Sequence, residues 1–308
     1  MNEKLLNIFG TERSGRSAAA IGAFDGIHRG HRHILENMAA YARENGLTPT
    51  AILFDPLPSQ YFGLLGMAER ILLRSEQDTM LRDLGIEQVV FLPFDDSIAN
   101  LSPEEFLGSM QAVFHCERLF MGEDFSLGKN RTGTAEVLAE LGRTYGFSTE
   151  IIPKDVMDGA VISSTRIRSL LHSGKIAEAN RLLGYPFFFS GRIIHGAARG
   201  RTLGFPTLNV KIPDGKLILP YGVYAVYNYI DGVKYASVTN IGVRPTFGLD
   251  KMGVFVESFL LDVTGDFYGE TSKLEFAEML REEIRFDSAE ALKKQISSDI
   301  RRAVQILK

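Results

Sequence analysis

The 308-residue sequence contains one cysteine, no tryptophan and no long apolar run. A membrane-spanning helix needs about 20 consecutive apolar residues, so we expect no membrane span and no membrane partner. The amino-terminal residues also lack the apolar segment of a secretion signal. A single cysteine excludes an internal disulfide and fits a reducing compartment, which predicts a cytoplasmic protein. The apolar neighbours of Cys116 predict that its thiol is buried and unreactive.

An excess of either charge is also missing, because 34 basic and 38 acidic residues give a net charge of −4. This balance argues against nucleic acid as a main partner. Any anion-binding site must therefore be a local arrangement of donors. The length is too great for one typical core and predicts two domains, while the oligomeric state stays open.

The first half of the chain alternates short apolar runs with amphipathic segments. Strands are predicted over 18–21, 48–54, 88–92, 118–121 and 148–152. A helix is predicted to begin at Ser102, with Pro103 in its first turn and Glu105 completing a capping box. The alternation predicts a mostly parallel sheet with helices on both faces. In such folds ligands bind outside the carboxyl ends of the strands.

A glycine-punctuated loop with two histidines, G-A-F-D-G-I-H-R-G-H, follows the first strand between Gly22 and His31. A helix that begins after such a turn presents unpaired N–H groups and the positive end of its dipole to an anion such as phosphate. His28 and His31 lie three residues apart, so they share a face of the first helical turn. On spacing alone, ordinary loop chemistry remains an open alternative.

Two further polar clusters follow predicted strands in this half. The run G-E-D-F-S-L-G, from Gly122 to Gly128, has Arg131 beyond it, and on composition it could be a solvated loop. The run I-S-S-T-R-I-R ends at Arg168 and begins a helix. Capping explains one of its three hydroxyl groups, whereas an arginine one turn into the helix can form a bidentate contact with phosphate.

After Gly184 the pattern changes to short β-rich runs, so we place the boundary between domains 1–184 and 185–308. Several short antiparallel strands predict a small barrel, and an amphipathic helix capped by Ser288 is predicted to end the chain. The segment G-R-T-L-G-F-P-T-L-N ends at Asn209. Its Thr207 and Asn209 offer the hard oxygen ligands that Mg²⁺ prefers, although a flexible hairpin is an open alternative.

Together these segments resemble those of known enzyme families. The histidine loop, the 122–128 run and I-S-S-T-R-I-R resemble the bacterial flavin adenylyltransferases. The segment ending at Asn209, and N-I-G-V-R-P-T-F-G from Asn240, resemble the riboflavin kinases. In this order, over nearly the whole chain, they resemble the prokaryotic bifunctional riboflavin kinase/FMN adenylyltransferases. The resemblance implies a Rossmann-like α/β nucleotidyltransferase domain followed by a kinase barrel. It also implies ATP and Mg²⁺, with riboflavin, FMN and FAD as substrates and products.

The resemblance also implies roles for individual residues. Catalytic roles fall on His28, His31, Arg168 and Glu257, the last as general base. Nucleotide or phosphate contacts fall on Gly22, Phe24, Asp25, Gly30, Ser163, Ser164, Thr165, Gly204, Thr207 and Asn209, of which Thr207 and Asn209 also hold the metal. Flavin contacts fall on Asp124, Phe125, Arg131, Arg244, Arg281 and Phe286.

The sequence departs from the family pattern at two positions of the first domain. Leu57 stands where the family usually has histidine in F-x-P-H-P, and Ala23 stands where it often has asparagine. We expect adenylyl transfer to be retained, because both phosphate motifs are present. Two alternatives stay open: a riboflavin kinase with a weakened or inactive adenylyltransferase domain, and a non-catalytic flavin-sensing protein.

Overall fold

The structure is a computed structural model that describes residues 15–195, 204–244, 253–263 and 265–308. Its internal contacts divide the chain into two units, Met1–Ser164 and Thr165–Lys308. This division precedes the functional boundary predicted at Gly184, which stays a prediction. Among the described residues, no helix has both the length and the apolar character to cross a membrane.

The first unit is built on a five-stranded sheet. The strands of this sheet are β1 (Ser17–Ile21), β2 (Thr48–Asp55), β3 (Gln88–Pro93), β4 (Cys116–Gly122) and β7 (Ser148–Ile152), and two separate hairpins pair β5 (Ser126–Leu127) with β6 (Gly133–Thr134) and β8 (Val156–Met157) with β9 (Ala160–Val161). The helices are α1 (Arg29–Asn45), α2 (Pro58–Tyr61), α3 (Arg74–Asp83), α4 (Asp96–Ala99), α5 (Pro103–Phe114), α6 (Ala135–Tyr145) and α7 (Ser164–His172), the last beginning at the final residue of the unit. The sheet order is β3-β2-β1-β4-β7 and every pairing in it is parallel.

Helices cover both faces of this sheet, as the alternation predicts. On one face, alternate strand residues such as Ile21 and Met121 join a core with α5 and α6. On the other face, the ring of Tyr41 in α1 packs 5.7 Å from that of Phe120. Cys116 is buried, and burial raises the pKa of its thiol to about 12, which confirms the prediction of an inert cysteine.

The predicted capping box is present at the start of α5. The backbone N–H of Glu105 donates to Ser102 Oγ at 3.2 Å, and the backbone N–H of Ser102 donates to Glu105 Oε2 at 2.9 Å. Two N–H groups that the first turn of a helix leaves unpaired are thereby satisfied.

The second unit contains helix α8 (Ile176–Leu183), a closed barrel and the terminal helix α9 (Ala289–Ile306). The barrel strands are β10 (Phe188–Ile194), β11 (Leu208–Val210), β12 (Gly222–Ile230), β13 (Val233–Arg244), β14 (Gly253–Leu260) and β15 (Thr271–Glu282), in the order β10-β11-β14-β13-β12-β15. All their pairings are antiparallel. The barrel, the terminal helix and the Ser288 cap confirm the sequence predictions, since Ser288 Oγ accepts from the N–H of Ala291 at 3.1 Å.

The inner face of the barrel carries a chain of hydrogen-bonded polar side chains with no solvent exposure. Its members in order are Ser272, Asn228, Ser237, Thr239 and Ser258. The outer face is apolar where it meets α9, with Val223 and Val238 packed in one cluster with Ala303. Because side chains alternate between faces, each barrel strand presents one inner and one outer row.

We expect Thr239→Val or Ser258→Ala to lower the free energy of unfolding by about 1–3 kcal/mol each. Either change leaves the other hydroxyl without its 2.7 Å partner inside the barrel. The double variant should cost less than the sum of the two, because no unpaired hydroxyl then remains at this contact. Urea unfolding followed by circular dichroism measures this cycle, with the exposed Thr271→Val as control. Strictly additive costs would contradict the expectation.

Candidate active sites

A cavity of about 780 Å³ lies at the carboxyl ends of the parallel strands in the first unit. Residues that end or follow four neighbouring strands line it: Gly22 after β1, Phe54 in β2, Phe94 after β3 and Gly122 at the end of β4. This is where the strand order predicts a ligand. Of the predicted site residues, the cavity brings together Gly22, Phe24, His31, Asp124, Phe125 and Arg131.

The loop between β1 and α1 has an unusual backbone. Phe24, Gly26 and Ile27 have φ values of 44°, 89° and 33°, in the region that L-residues rarely adopt. A side chain at Gly22 would place its Cβ 3.1 Å from the ring of Phe24. Strained non-glycine residues persist only where surrounding contacts hold them, and they concentrate at functional sites.

Asp25 supplies such contacts. Its side chain is 2% exposed, and Oδ1 accepts hydrogen bonds from the backbone N–H groups of Ile71 at 3.1 Å and Leu72 at 3.2 Å. Its backbone carbonyl accepts from Ser164 Oγ at 2.7 Å. Asp25 therefore joins three separated segments and holds the loop in place. Its direct contact with nucleotide stays a prediction.

Gln77 is a second anchor of the loop that the sequence analysis did not identify. It lies in α3, is 1% exposed, and donates from Nε2 to the carbonyl oxygens of Ala23 at 3.2 Å and Phe24 at 3.1 Å. In the sequence, the only indication of this role is a glutamine on the apolar face of a short predicted helix. That pattern does not indicate which loop the amide binds.

The rings of His28 and His31 stack with centroids 3.6 Å apart and planes 17° from parallel. His28 is the N-cap of α1, and its Nδ1 accepts from the backbone N–H of His31 at 3.3 Å. Neutral His28 therefore carries its proton on Nε2. His31 lines the cavity, and its buried Nδ1 has no hydrogen-bond partner among the described residues. This nitrogen is therefore an orphaned polar atom beside the cavity.

Burial dominates the electrostatics of this pair. It lowers the pKa of His28 to about 4, although the nearby carboxylates of Asp155 and Asp124 act in the opposite direction. Burial, reinforced by His28, also lowers the pKa of His31 well below its ordinary value. Both rings are therefore neutral near pH 7 in the ligand-free protein, and an anion beside them would favour protonation.

The two departures from the family pattern differ in position. Leu57 is 1% exposed, precedes α2 and lies outside the lining of the cavity, whereas the following residues Pro58 and Ser59 line it. Ala23 is exposed and lines the cavity. Of the two positions that differ from the family pattern, only Ala23 therefore faces the cavity.

The second phosphate motif begins helix α7. The hydroxyl of Ser164 donates to the carbonyl of Asp25, so its proton is already engaged within the protein. Thr165 and Arg168 follow on the same helix and fall in the second unit. The phosphate contacts of Ser163, Ser164, Thr165 and Arg168, and that of Gly30 at the start of α1, stay predictions.

In the barrel, strand register places Glu257 between two asparagines. Asn209 on β11 and Asn240 on β13 each lie directly opposite Glu257 on β14. Directly opposite residues of neighbouring strands share a face of the sheet, with Cβ atoms about 4.5–5.5 Å apart. Phe205, from the segment that ends at Asn209, packs edge-on against Phe259 with ring centroids 5.5 Å apart. The predicted base and the predicted metal ligand are thus neighbours on one surface.

A second cavity, of about 460 Å³, adjoins this surface and is lined by Thr207, Asp266 and Tyr268 among others. The ring of Tyr268 stacks on that of His195 at 3.8 Å. The described residues contain no group of three or more histidine, cysteine or acidic side chains able to hold a metal ion. Mg²⁺ fits here nevertheless, because it takes few protein ligands and completes its shell with phosphate and water oxygens.

The remaining predicted contacts in the second unit have different outcomes. Arg281 pairs with Asp299 of α9 through Nε and Nη2, each 3.0 Å from Oδ2, and its Cζ lies 5.7 Å from the ring centroid of Phe286. Arg281 therefore holds α9 against the barrel, and flavin contacts of Arg281 and Phe286 stay predictions. Gly204 is exposed with φ 88°. The side chain of Arg244 and residues 196–203 and 245–252 lie outside the described residues.

Comparisons with known proteins match both halves of the chain. A family model described as FAD synthetase matches residues 11–166, and one described as riboflavin kinase matches residues 183–307. A bifunctional riboflavin kinase/FMN adenylyltransferase from Pseudomonas fluorescens is 37% identical over 92% of this chain and 90% of its own length. The protein of the same name from Bacillus subtilis is 33% identical over 96% of this chain and 93% of its own length.

A solved structure from Streptococcus pneumoniae, described as a macrolide-efflux protein, has a TM-score of 0.87 to this chain. It is 30% identical and the alignment covers 94% of both chains. The likeness therefore extends over both units of the fold.

The histidine pair should make the free energy of unfolding fall as the pH drops from 6.5 towards 4. In this range the unfolded chain binds protons that the folded protein, with the pKa of His28 lowered to about 4, excludes. NMR titration of the imidazole resonances measures the pKa, and unfolding at several pH values measures the linkage. His28→Gln should flatten the pH dependence. A wild-type His28 that titrates near 6.5 would contradict the burial argument.

Proposed function

This chain belongs to the family of bifunctional riboflavin kinase/FMN adenylyltransferases, and we propose that it makes FMN in its barrel and FAD in its parallel-sheet unit. The observation that carries the proposal is the cavity at the carboxyl ends of the sheet, which is lined both by His31 of the stacked pair and by the loop after β4. The neighbouring positions of Asn209 and Glu257 support the kinase half.

The adenylyl transfer needs no covalent enzyme intermediate. A phosphate oxygen of FMN attacks the α-phosphorus of ATP, a new P–O bond forms, and pyrophosphate leaves with the electrons of the broken P–O bond. The imidazole of His31, which lines the cavity, would donate a hydrogen bond to the triphosphate, and the positive end of the α1 dipole would favour the same anion. Protonation of the neutral histidines beside the anion would offset charge that develops on the leaving group.

The shape of the cavity supports a flavin as the acceptor. Its lining includes four phenylalanine rings, which contact each other edge-on or tilted in the pairs Phe54–Phe94, Phe54–Phe106 and Phe62–Phe94. An apolar, aromatic wall suits the flat isoalloxazine ring, and the polar rim with Asp124 and Arg131 suits the ribityl phosphate.

In the barrel, Glu257 takes the proton of the terminal ribityl hydroxyl as its oxygen attacks the γ-phosphorus of ATP and ADP leaves. Thr207 and Asn209 would hold Mg²⁺, which when bound neutralises charge on the phosphates. The half-buried position of Glu257 keeps the carboxylate accessible to substrate.

A kinase with weakened adenylyl transfer is the second candidate, and Ala23 is the observation that favours it. This residue faces the cavity without a polar group. A non-catalytic flavin sensor is less well supported, because it would not need a carboxylate next to the metal-binding asparagine.

We expect purified protein incubated with riboflavin, ATP and Mg²⁺ to form FMN first and then FAD. Chromatography of the flavins over time measures both steps, because the three species separate by charge and size. Accumulation of FMN without FAD would support the weakened adenylyltransferase, and Ala23→Asn should then restore FAD formation. Formation of neither product would contradict the proposed enzyme.

His31→Ala should reduce FAD formation from supplied FMN by at least about 100-fold and leave riboflavin phosphorylation unchanged, because it removes a donor from one site only. Glu257→Ala should have the reverse effect, because the kinase loses its base. Separate assays with FMN and riboflavin measure the two activities, with the exposed His33→Ala and Glu270→Ala as matched controls. One substitution that stopped both activities in folded protein would contradict the two-site proposal.

A further inference from the structure

The outer face of the barrel carries one polar residue next to Glu257 for which neither the motifs nor the comparisons specify a role. Asn240 lies opposite Glu257 on β13, on the side away from Asn209. The row continues to Val223 on β12, which packs in the apolar cluster under α9. Val223 separates Asn240 from Arg281 of β15, the next polar residue, so Asn209, Glu257 and Asn240 are three consecutive polar positions of the row.

The face on which Asn240 lies follows from its neighbours on the same strand. Val238, two residues earlier, packs on the outer face against the cluster with α9. Thr239, between them, is fully buried in the inner polar chain. Side chains alternate along a strand, so Asn240 shares the outer face with Glu257. Asn240 is half-buried, so part of its surface is exposed among the described residues.

The inner face of the barrel offers a comparison for the same residue type. Asn228 donates from Nδ2 to Ser237 Oγ at 2.6 Å and accepts at Oδ1 from Ser272 at 2.9 Å, so both ends of its amide are used within the fold. Across the part of the chain that the structure describes, no hydrogen bond uses the side chain of Asn240. A half-buried amide beside a catalytic carboxylate suits a ligand with hydroxyl groups.

We propose that Asn240 determines substrate specificity in the kinase by binding the ribityl hydroxyl adjacent to the one that Glu257 deprotonates. This inference rests on the proposed function. Adjacent hydroxyls of a polyol are joined by a single carbon–carbon bond, and two opposite side chains about 4.5–5.5 Å apart can contact both at once. The amide donates or accepts as the hydroxyl requires, whereas Glu257 accepts a proton.

The contact selects for a polyol substrate that carries both hydroxyls. A substrate without the second hydroxyl leaves the amide unpaired in a partly desolvated site, which costs more than loss of an exposed contact. Binding two adjacent hydroxyls also fixes the terminal oxygen in line with the γ-phosphorus, so that part of the gain is orientation.

The test compares riboflavin with its 4′-deoxy analogue as kinase substrates of the full chain. The wild-type enzyme should prefer riboflavin by about 10- to 100-fold in kcat/KM. Asn240→Ala should reduce this preference to less than about 3-fold and raise KM for riboflavin, with KM for ATP unchanged. Asn240→Ser, which keeps a shorter hydroxyl donor, should give an intermediate preference.

Two results would overturn the inference. Either the Asn240→Ala enzyme keeps the wild-type preference, or it loses kcat equally for both substrates with a shifted pH profile, which would indicate that Asn240 only orients Glu257. Asn209→Ala provides the comparison on the opposite side, since it should raise KM for ATP and keep the substrate preference. Circular dichroism and urea unfolding, compared with the wild-type curve, verify that the barrel of each variant is folded. A wild-type protein that forms no FMN would instead defeat the proposed function itself.

Discussion

The first unit depends on the buried carboxylate of Asp25. Phe24, Gly26 and Ile27 in its loop have positive φ angles. For the two residues that are not glycine, such a conformation costs about 1–3 kcal/mol each. Hydrogen bonds between N–H groups and a buried carboxylate contribute about 1.5–3 kcal/mol each, so the bonds to Ile71 and Leu72 offset strain of this size. Without them the loop would relax to ordinary conformations, and His28 would no longer cap α1 beside His31.

In the proposed adenylyltransferase site, the histidine pair would favour an anion although the chain is acidic overall. The stacked rings lie in a buried site that keeps them neutral, so the empty site has no positive field of its own. A triphosphate brings the charge that makes protonation favourable, and the helix N-terminus adds aligned N–H groups. Attraction for the ligand is therefore local and appears mainly on binding, which agrees with a net charge of −4.

The sequence predicted what local patterns determine. The strand–helix alternation, the capping box at Ser102 and the Ser288 cap depend on neighbouring residues, and all three are present. The anchors of the histidine loop were not predicted, because Gln77 and the N–H groups of residues 71–72 reach it across more than forty positions of sequence. Leu57 and Ala23 looked equivalent in sequence, and only the fold shows that alanine alone faces the cavity.

Side chains alternate between the two faces of each barrel strand, so the residues that stabilise the barrel point inward and the proposed kinase residues lie on the outer face. Inward side chains of β12, β13, β14 and β15 form a continuous hydrogen-bonded chain from Ser272 to Ser258, in which each buried hydroxyl or amide has a partner. That chain requires one register between β13 and β14, since a slip of either strand by a single residue would turn its own hydroxyl, of Thr239 or Ser258, to the outer face. The same register brings Asn240 opposite Glu257. The inner row therefore fixes the spacing of the outer row, which carries the proposed kinase residues Asn209, Glu257 and Asn240.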